Sequence, residues 1–199
     1  MTLSIEKGQR VNLQKEAAGH TLFVVGLGWN TSADLDASAF LCKQVPGGDA
    51  KCVGTPGVVF FNQKEAPGVI HYGDALTGEG NAAGTPDEYI SIDVTKLQPE
   101  VDQIDIWANI YQARDRGQNF GIVNDAFISI FRGKKDGDKI VPDGEPLVRY
   151  DLTEDSSADT AVQFGALYKK DGEWRFQALN AGQKLEINEL INSYVPGAV

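Results

Sequence analysis

The stretch Val162-Gln-Phe-Gly-Ala-Leu-Tyr-Lys-Lys-Asp171-Gly172-Glu-Trp-Arg-Phe-Gln-Ala178 decides the fold class. Val162, Phe164 and Ala166 recur at every second residue, as do Trp174, Phe176 and Ala178, and that is the period of a half-buried strand. The Asp171-Gly172 pair between the two arms suits a two-residue hairpin turn, whose central residues need positive φ. Working outward, the same period runs through Ile90, Ile92 and Val94 and through Ile104, Ile106, Ala108 and Ile110. Thr21 to Leu27, Val58 to Phe61 and Ala126 to Phe131 are apolar on both faces, as expected of strands covered on each side. Pro46-Gly-Gly-Asp49, Pro67-Gly68, Asp136-Gly137 and Asp143-Gly144 supply further turns, at spacings that favour antiparallel hairpins over βαβ crossovers. Helical spacing is convincing only near the end, where Leu185, Leu190, Ile191 and Tyr194 line one face, with a further turn expected over Asp155 to Thr160. The expectation is an all-β protein, a two-layer antiparallel β-sandwich with a short C-terminal helix, folded as one domain over residues 1–199.

Charge narrows the partners. Twenty-eight acidic against eighteen basic residues give a formal charge of −10, so the average surface repels phosphate backbones and anionic lipid heads. Nucleic acid is therefore not an expected partner. The opening Met1-Thr-Leu-Ser-Ile-Glu-Lys-Gly8 lacks the apolar run of a signal peptide, and no segment approaches the roughly 20 apolar residues of a membrane span. A cytoplasmic protein without membrane insertion is expected, with Cys42 and Cys52 reduced. Excess carboxylate also suits a divalent cation, a basic protein partner or simple solubility.

The stretch Tyr72 to Pro86, rich in Gly, Ala, Thr and Asp, is the weakest for regular structure, and loops of that length in compact domains commonly carry function. It holds Gly73-Asp74-Ala-Leu-Thr-Gly78-Glu79-Gly80-Asn81 and leads to Asp87-Glu88. A second acidic element is Asp34-Leu-Asp36, whose two carboxylates share one strand face. Upstream, Gly26-Leu-Gly-Trp-Asn30 ends an apolar strand with an amide oxygen to offer. Glycines between oxygen-bearing side chains let the backbone curl so that its carbonyls also turn inward, and Ca²⁺ takes six to eight such oxygens. Neither cluster contains a nitrogen or sulfur ligand, which favours Ca²⁺ over zinc or copper. The Asp-x-Asp-x-Asp-Gly ladder of an EF-hand is absent.

Gly26-Leu-Gly-Trp29, Asp34-Leu-Asp-Ala-Ser-Ala-Phe40, Gly73-Asp74 with Thr77-Gly-Glu-Gly80, Gln118-Asn-Phe-Gly121 with Ala126-Phe-Ile128, and Tyr150-Asp-Leu-Thr-Glu-Asp155 occur here in that order. With Leu3-Ser-Ile-Glu-Lys-Gly8 and Phe164-Gly-Ala-Leu-Tyr168 to Gly172-Glu-Trp174, the set resembles the tellurium-resistance, TerD-like stress proteins of bacteria over nearly the whole chain. The resemblance implies a calcium-binding sandwich with no established enzymatic activity. It further implies a role in resistance to tellurite and other chemical stress, within complexes of related stress proteins near the membrane. On the matching positions it makes Asp34, Asp36, Asp74, Glu79, Asp87 and Glu88 the calcium ligands, with backbone carbonyls near Gly78 and Gly80 completing the shells. Asn30 and Asn81 stand where that family carries acidic residues, Ala75 stands where it carries asparagine, and the spacer Ala82 to Pro86 is longer. Ligand charge and rigidity tune Ca²⁺ affinity, so a weakened site, or one good site of two, is expected.

Other features carry less. Cys42 and Cys52 are symmetric about Gly47, so a hairpin with a three-residue loop at Pro46-Gly47-Gly48 sets them opposite each other. A thiol-based protein acting on oxyanions or oxidants, with no metal site, is accordingly the alternative function; the plainer expectation is two reduced, partly buried cysteines. His20 and His71 are expected in loops or at the surface. Trp29, Trp107 and Trp174 read as core, and Arg114-Asp-Arg116 as a solvated turn. A calcium-dependent carbohydrate-binding sandwich ranks last, resting on fold analogy alone.

Overall fold

Asp171 and Gly172 both adopt positive φ, 55° and 81°, and the turn they make joins two long strands as their sequence requires. In the computed structural model, which describes residues 2–53, 56–73, 75–79, 84–152 and 156–195, the elements are as follows. Strands β1 (Leu3–Ser4) and β2 (Arg10–Asn12) lead into helix α1 (Leu13–Glu16), and β3 (Leu22–Gly28), β4 (Leu35–Lys43), β5 (Lys51–Cys52) and β6 (Val58–Val59) follow. Next come β7 (Glu65–Ala66), β8 (Val69–Tyr72), β9 (Glu88–Asp93), β10 (Gln103–Ile110), helix α2 (Ala113–Arg116) and a 3₁₀ turn over Phe120–Ile122. The chain continues through β11 (Phe127–Asp136), β12 (Lys139–Pro142), β13 (Val148–Asp151), β14 (Ala161–Lys170), β15 (Glu173–Gln183) and helix α3 (Ile187–Tyr194).

The strands form two sheets. The first runs β1-β13-β11-β3-β9-β8-β7 with β12 beside β11, and the second runs β2-β15-β14-β10-β4-β5 with β6 beside β4. Pairings are antiparallel throughout except β1 with β13, which is parallel. The expected all-β, two-layer sandwich with a short C-terminal helix is what forms.

Alternation sorts the side chains into layers. Phe23, Val25 and Leu27 of β3, Ile90 and Ile92 of β9, Ile104 and Ile106 of β10, and Phe164 and Phe176 of β14 and β15 fill the space between the sheets. In β4 the odd positions Leu35, Ala37, Ala39 and Leu41 join that core. The even positions Phe40 and Cys42 form a second cluster with Trp107, Leu190 and Ile191 on the outside of the second sheet. Helix α3 covers that outer patch, which is why β4 is buried on both faces. A capping box between Glu186 and Glu189 starts the helix.

Two local expectations need correction. Cys42 and Cys52 are paired in register as expected, but the strands stop at Lys43 and Lys51, so the connection spans 44–50 rather than three residues. The Pro46-Gly47 turn survives inside it, with the Gly48 N–H donating to the Val45 carbonyl at 3.1 Å. The Arg114-Asp-Arg116 segment is not merely a solvated turn. Arg114 grips Glu189 of α3, and its own N–H donates to Glu186 Oε1 at 2.9 Å. Of the turn expected over Asp155 to Thr160, Asp155 lies outside the described residues.

Candidate functional site

Glu88 opens β9 with its side chain on the same inward face as Ile90 and Ile92, and it is fully buried. The side of β4 away from β10 is paired to β6 only at Ala39 and Phe40, so the Ala37 N–H needs an acceptor from elsewhere. Glu88 Oε2 accepts it at 2.8 Å, while Oε1 accepts the Ala75 N–H at 3.1 Å. Asp87 does similar work on the neighbouring loop. Its carboxylate accepts the Trp29 N–H at 3.0 Å, and its own N–H donates to the Leu27 carbonyl at 2.7 Å. Burial, and after it the Asp87 carboxylate, pushes the Tyr89 phenol above its ordinary range. The Asp87-Glu88 pair therefore ties together the segments at Trp29, Ala37 and Ala75.

Asp34 and Asp36 are both buried but serve the other sheet. Asp36 shares the outward face of β4 with Phe40 and Cys42 and accepts from Asn109 Nδ2 at 3.3 Å. Asp34 lies 3.5 Å from Arg116 Nη1, and the Arg116 guanidinium also stands over the Tyr111 ring, 5.3 Å from its centre. Any cation that takes Asp34 must compete with this arginine. Gly78 sits against Trp29 so closely that a Cβ there would come within 2.5 Å of the indole. Its N–H donates to the Thr31 carbonyl at 3.1 Å. The Glu79 side chain is exposed, and its N–H donates to Thr77 Oγ1. Asp74, Gly80 and Asn81 lie outside the described residues, as do Ala82 and Ala83 of the long spacer.

The six acidic ligands expected from the sequence are thus not gathered into one shell by what is described: Asp34 and Asp36 belong to the second sheet, Glu88 to the interior, Glu79 to an exposed loop. Among the described residues, no group of three or more His, Cys, Asp or Glu is placed to hold a metal ion. The donor types nonetheless suit a hard cation, being carboxylates, amides and backbone carbonyls. Asn30, one of the departures, turns its amide towards Asp125, with Nδ2 3.4 Å from Oδ2.

His71 is the residue that sequence reasoning placed wrongly. It lies in β8, is 3% exposed, and sets its Nε2 3.5 Å from Glu88 Oε2, so a nitrogen donor does adjoin the acidic cluster. Its two-residue spacing from Val69 on an alternating strand was the available signal.

Beside these residues opens a cavity of about 950 Å³, lined among others by Trp29, Asn30, Gly78, Phe120, Gly121, Asp125, Ala126 and Asp151. Arg149 forms part of its wall; its guanidinium lies over the Phe127 ring at 3.7 Å and holds Asp151 through Nε and Nη2 at 2.9 and 2.7 Å.

The TerD domain family model matches residues 1–194. The chain belongs to the TerD family. It is 36% identical over 203 residues to general stress protein 16U of Bacillus subtilis, covering 98% of this chain and 97% of that protein. It is 37% identical over 190 residues to the tellurium resistance protein TerD of Serratia marcescens, covering 92% of this chain and 91% of that one. A crystal structure of a homologue of telluride resistance protein (TerD) from Streptomyces coelicolor A3(2) shares the fold, with a TM-score of 0.62 at 18% identity over 91% of this chain and 99% of that chain. Four of the TerD-like motifs quoted above contribute to the wall of one cavity, through Trp29, Gly78, Phe120-Gly121 with Ala126, and Asp151, whereas the Asp34 to Phe40 motif does not line it. Among the described residues no helix is long and apolar enough to cross a membrane.

Proposed function

We propose that this TerD-family chain is a non-enzymatic, cytoplasmic stress-response protein, active in resistance to tellurite and other chemical damage, whose acidic loop end binds Ca²⁺ and presents a surface to partner proteins. The observation that carries the reading is the convergence of Trp29, Gly78, Phe120-Gly121, Ala126 and Asp151 on one cavity. Trp29, Phe120 and Ala126 belong to the core between the sheets, and Gly78, the member of the proposed ligand set on this wall, joins them at its polar edge. The names of the relatives supply the stress and tellurium context. The ligand set is Asp34, Asp36, Asp74, Glu79, Asp87 and Glu88, with carbonyls at Gly78 and Gly80.

The mechanism is electrostatic. Asp34, Asp36, Asp74, Glu79, Asp87 and Glu88 would hold the ion, which would supply positive charge to offset the repulsion among carboxylates that otherwise opposes a fixed partner surface. The expected partners are related stress proteins in complexes close to the membrane. Among the described residues, the pairings of Asp34 with Arg116 and of Glu88 with two backbone N–H groups favour modest affinity, since each must be rearranged or shared.

The test is a titration of chelator-treated protein with Ca²⁺ and, separately, Mg²⁺ during thermal unfolding. A ligand that binds only the folded state adds about 2.7 kcal/mol at 100 times its Kd, so a calcium-selective rise in melting temperature is expected, and it should vanish in the Asp34→Asn/Asp74→Asn double variant. No rise at millimolar calcium, or an undiminished rise in the double variant, overturns the ligand assignment.

A further inference from the structure

At the far end of β4 from Asp36, six residues and roughly 20 Å along the strand, lies a pair of groups that the ion-binding reading does not use. Cys42 and Cys52 face each other across β4 and β5, with their sulfurs 3.7 Å apart and both thiols free. The Val53 N–H donates to the Leu41 carbonyl at 2.9 Å, which makes 41 with 53 a hydrogen-bonded position and leaves 42 with 52 at the neighbouring non-hydrogen-bonded one. There the Cα atoms of an antiparallel pair stand about 4.5 Å apart, within the span a disulfide accepts. With the register set and the sulfurs 3.7 Å apart, the pair meets the geometric demands of a bridge.

The two thiols are not equivalent. Cys42 is wholly buried between Phe40 and the α3 face. Its pKa is pushed up by the hydrogen bond with Cys52 first, then by burial and by the carboxylates of Asp105 and Asp102. Cys52 lies on β5 at the edge of the second sheet, half-buried, with its Sγ 3.3 Å from the Gly57 carbonyl. An oxidant arriving from solvent meets Cys52 before Cys42.

We propose that Cys42 and Cys52 are a reversible thiol–disulfide pair, in which Cys52 is attacked by hydroperoxide-class oxidants and Cys42 resolves the product. In the first step the Cys52 thiolate attacks one peroxide oxygen, the O–O bond breaks, and sulfenic acid forms as water leaves with the thiol proton. In the second the Cys42 sulfur attacks the sulfenic sulfur, the S–O bond breaks, and a second water leaves. Two thiols and one hydrogen peroxide thus give one disulfide and two waters, with the sulfurs oxidised and the peroxide reduced. A dithiol reductant reverses the change by exchange. The disulfide closes the 42–52 hairpin and pins edge strand β5, one residue from Lys51, whose Nζ meets the Ser193 carbonyl of α3 at 3.5 Å.

The experiment treats the intact protein with hydrogen peroxide, counts free thiols, and maps peptides without reduction. Expected are the loss of both thiols within a monomer, a Cys42–Cys52 linked peptide, full recovery on dithiothreitol, and a melting temperature about 5–10 °C higher in the oxidised form. With dimedone present, Cys42→Ser should be trapped as the Cys52 sulfenic acid, whereas Cys52→Ser should keep its Cys42 thiol. Persistence of both thiols in the unsubstituted protein, or a disulfide between chains, overturns the pair. Dimedone on Cys42 rather than Cys52 overturns the assignment of roles. Neither outcome depends on calcium, so this proposal and the ion-binding one fail separately.

Discussion

Glu88 is the residue on which the loop end turns, because one buried carboxylate accepts backbone N–H groups from residues 51 and 13 positions away. Replacing it with glutamine keeps the volume but exchanges one acceptor oxygen for an amide donor. Either the Ala37 or the Ala75 N–H then faces another donor in a dry site. Leaving a buried donor unsatisfied costs about 1–3 kcal/mol, so Glu88→Gln should lower the urea midpoint by that equivalent; an unchanged midpoint would mean water replaces the carboxylate freely. Arg116 offers the converse test. Its ion pair with Asp34 is partly exposed, with the arginine side chain at 39%, and pairs of that kind contribute up to about 1 kcal/mol. Arg116→Gln should therefore cost little stability without metal yet tighten calcium binding about two- to fivefold by titration calorimetry, since Asp34 loses its competitor. Unaltered or weaker binding would take Asp34 out of the ion site. Neither Glu88's reach nor Arg116's grip was legible in the sequence: Asp87-Glu88 reads as a pair of solvated ligands until the fold brings Trp29, Ala37 and Ala75 to it.

At the scale of elements, the strands were legible wherever one residue type repeated with period two, as in β10 and the β14–β15 hairpin. β4 was read only as a strand beginning at Asp34-Leu-Asp36, and the cover on its outer face was not foreseen, because α3 is separated from β4 by the rest of the chain. That cover is held by a polar knot. The Tyr194 hydroxyl donates to Asp105 Oδ2 at 2.7 Å and accepts from Trp107 Nε1 at 3.0 Å, and Gln103 Nε2 donates to Asp105 Oδ1 at 2.7 Å. Burial raises the Asp105 carboxyl above its usual range, with the hydrogen bonds from Tyr194, Gln103 and Gln163 offsetting only part. A folded-state pKa above the unfolded value means that the folded chain binds the proton more tightly. Asp105 thus contributes stability that is complete below about pH 4 and is lost as pH rises through its raised folded pKa. In Asp105→Asn that loss is absent, so the variant's stability relative to the original should improve between pH 4 and pH 7. A stability difference between the two proteins that stays flat over that range, by denaturant unfolding at several pH values, would show the carboxyl titrating normally.

For the whole molecule, the formal charge of −10 acts beside any specific site. Like charges repel in the compact state, so any added salt should stabilise this chain somewhat by screening. A calcium effect is meaningful only above that background. The sandwich and its loop end were predictable because turn residues and alternation are local signals. The ion shell expected from the sequence needs side chains from β4, β9 and the Gly73 loop to converge, and the described carboxylates of β4 and β9 lie in different layers. On the proposed reading, a cation that takes Asp34 and Glu88 has to displace or share groups held by Arg116 and by backbone N–H donors, which lowers affinity without lowering selectivity for a large, flexible-shelled cation. Calcium chloride and sodium chloride at matched ionic strength separate the two contributions. With calcium at 100 times its Kd, the melting temperature should exceed the sodium value by about 5–10 °C, and magnesium should track sodium, since Mg²⁺ demands a strict octahedral shell that scattered carboxylates do not supply. Equal rises in all three salts would reduce the effect to screening and leave the acidic loop end a solvated surface.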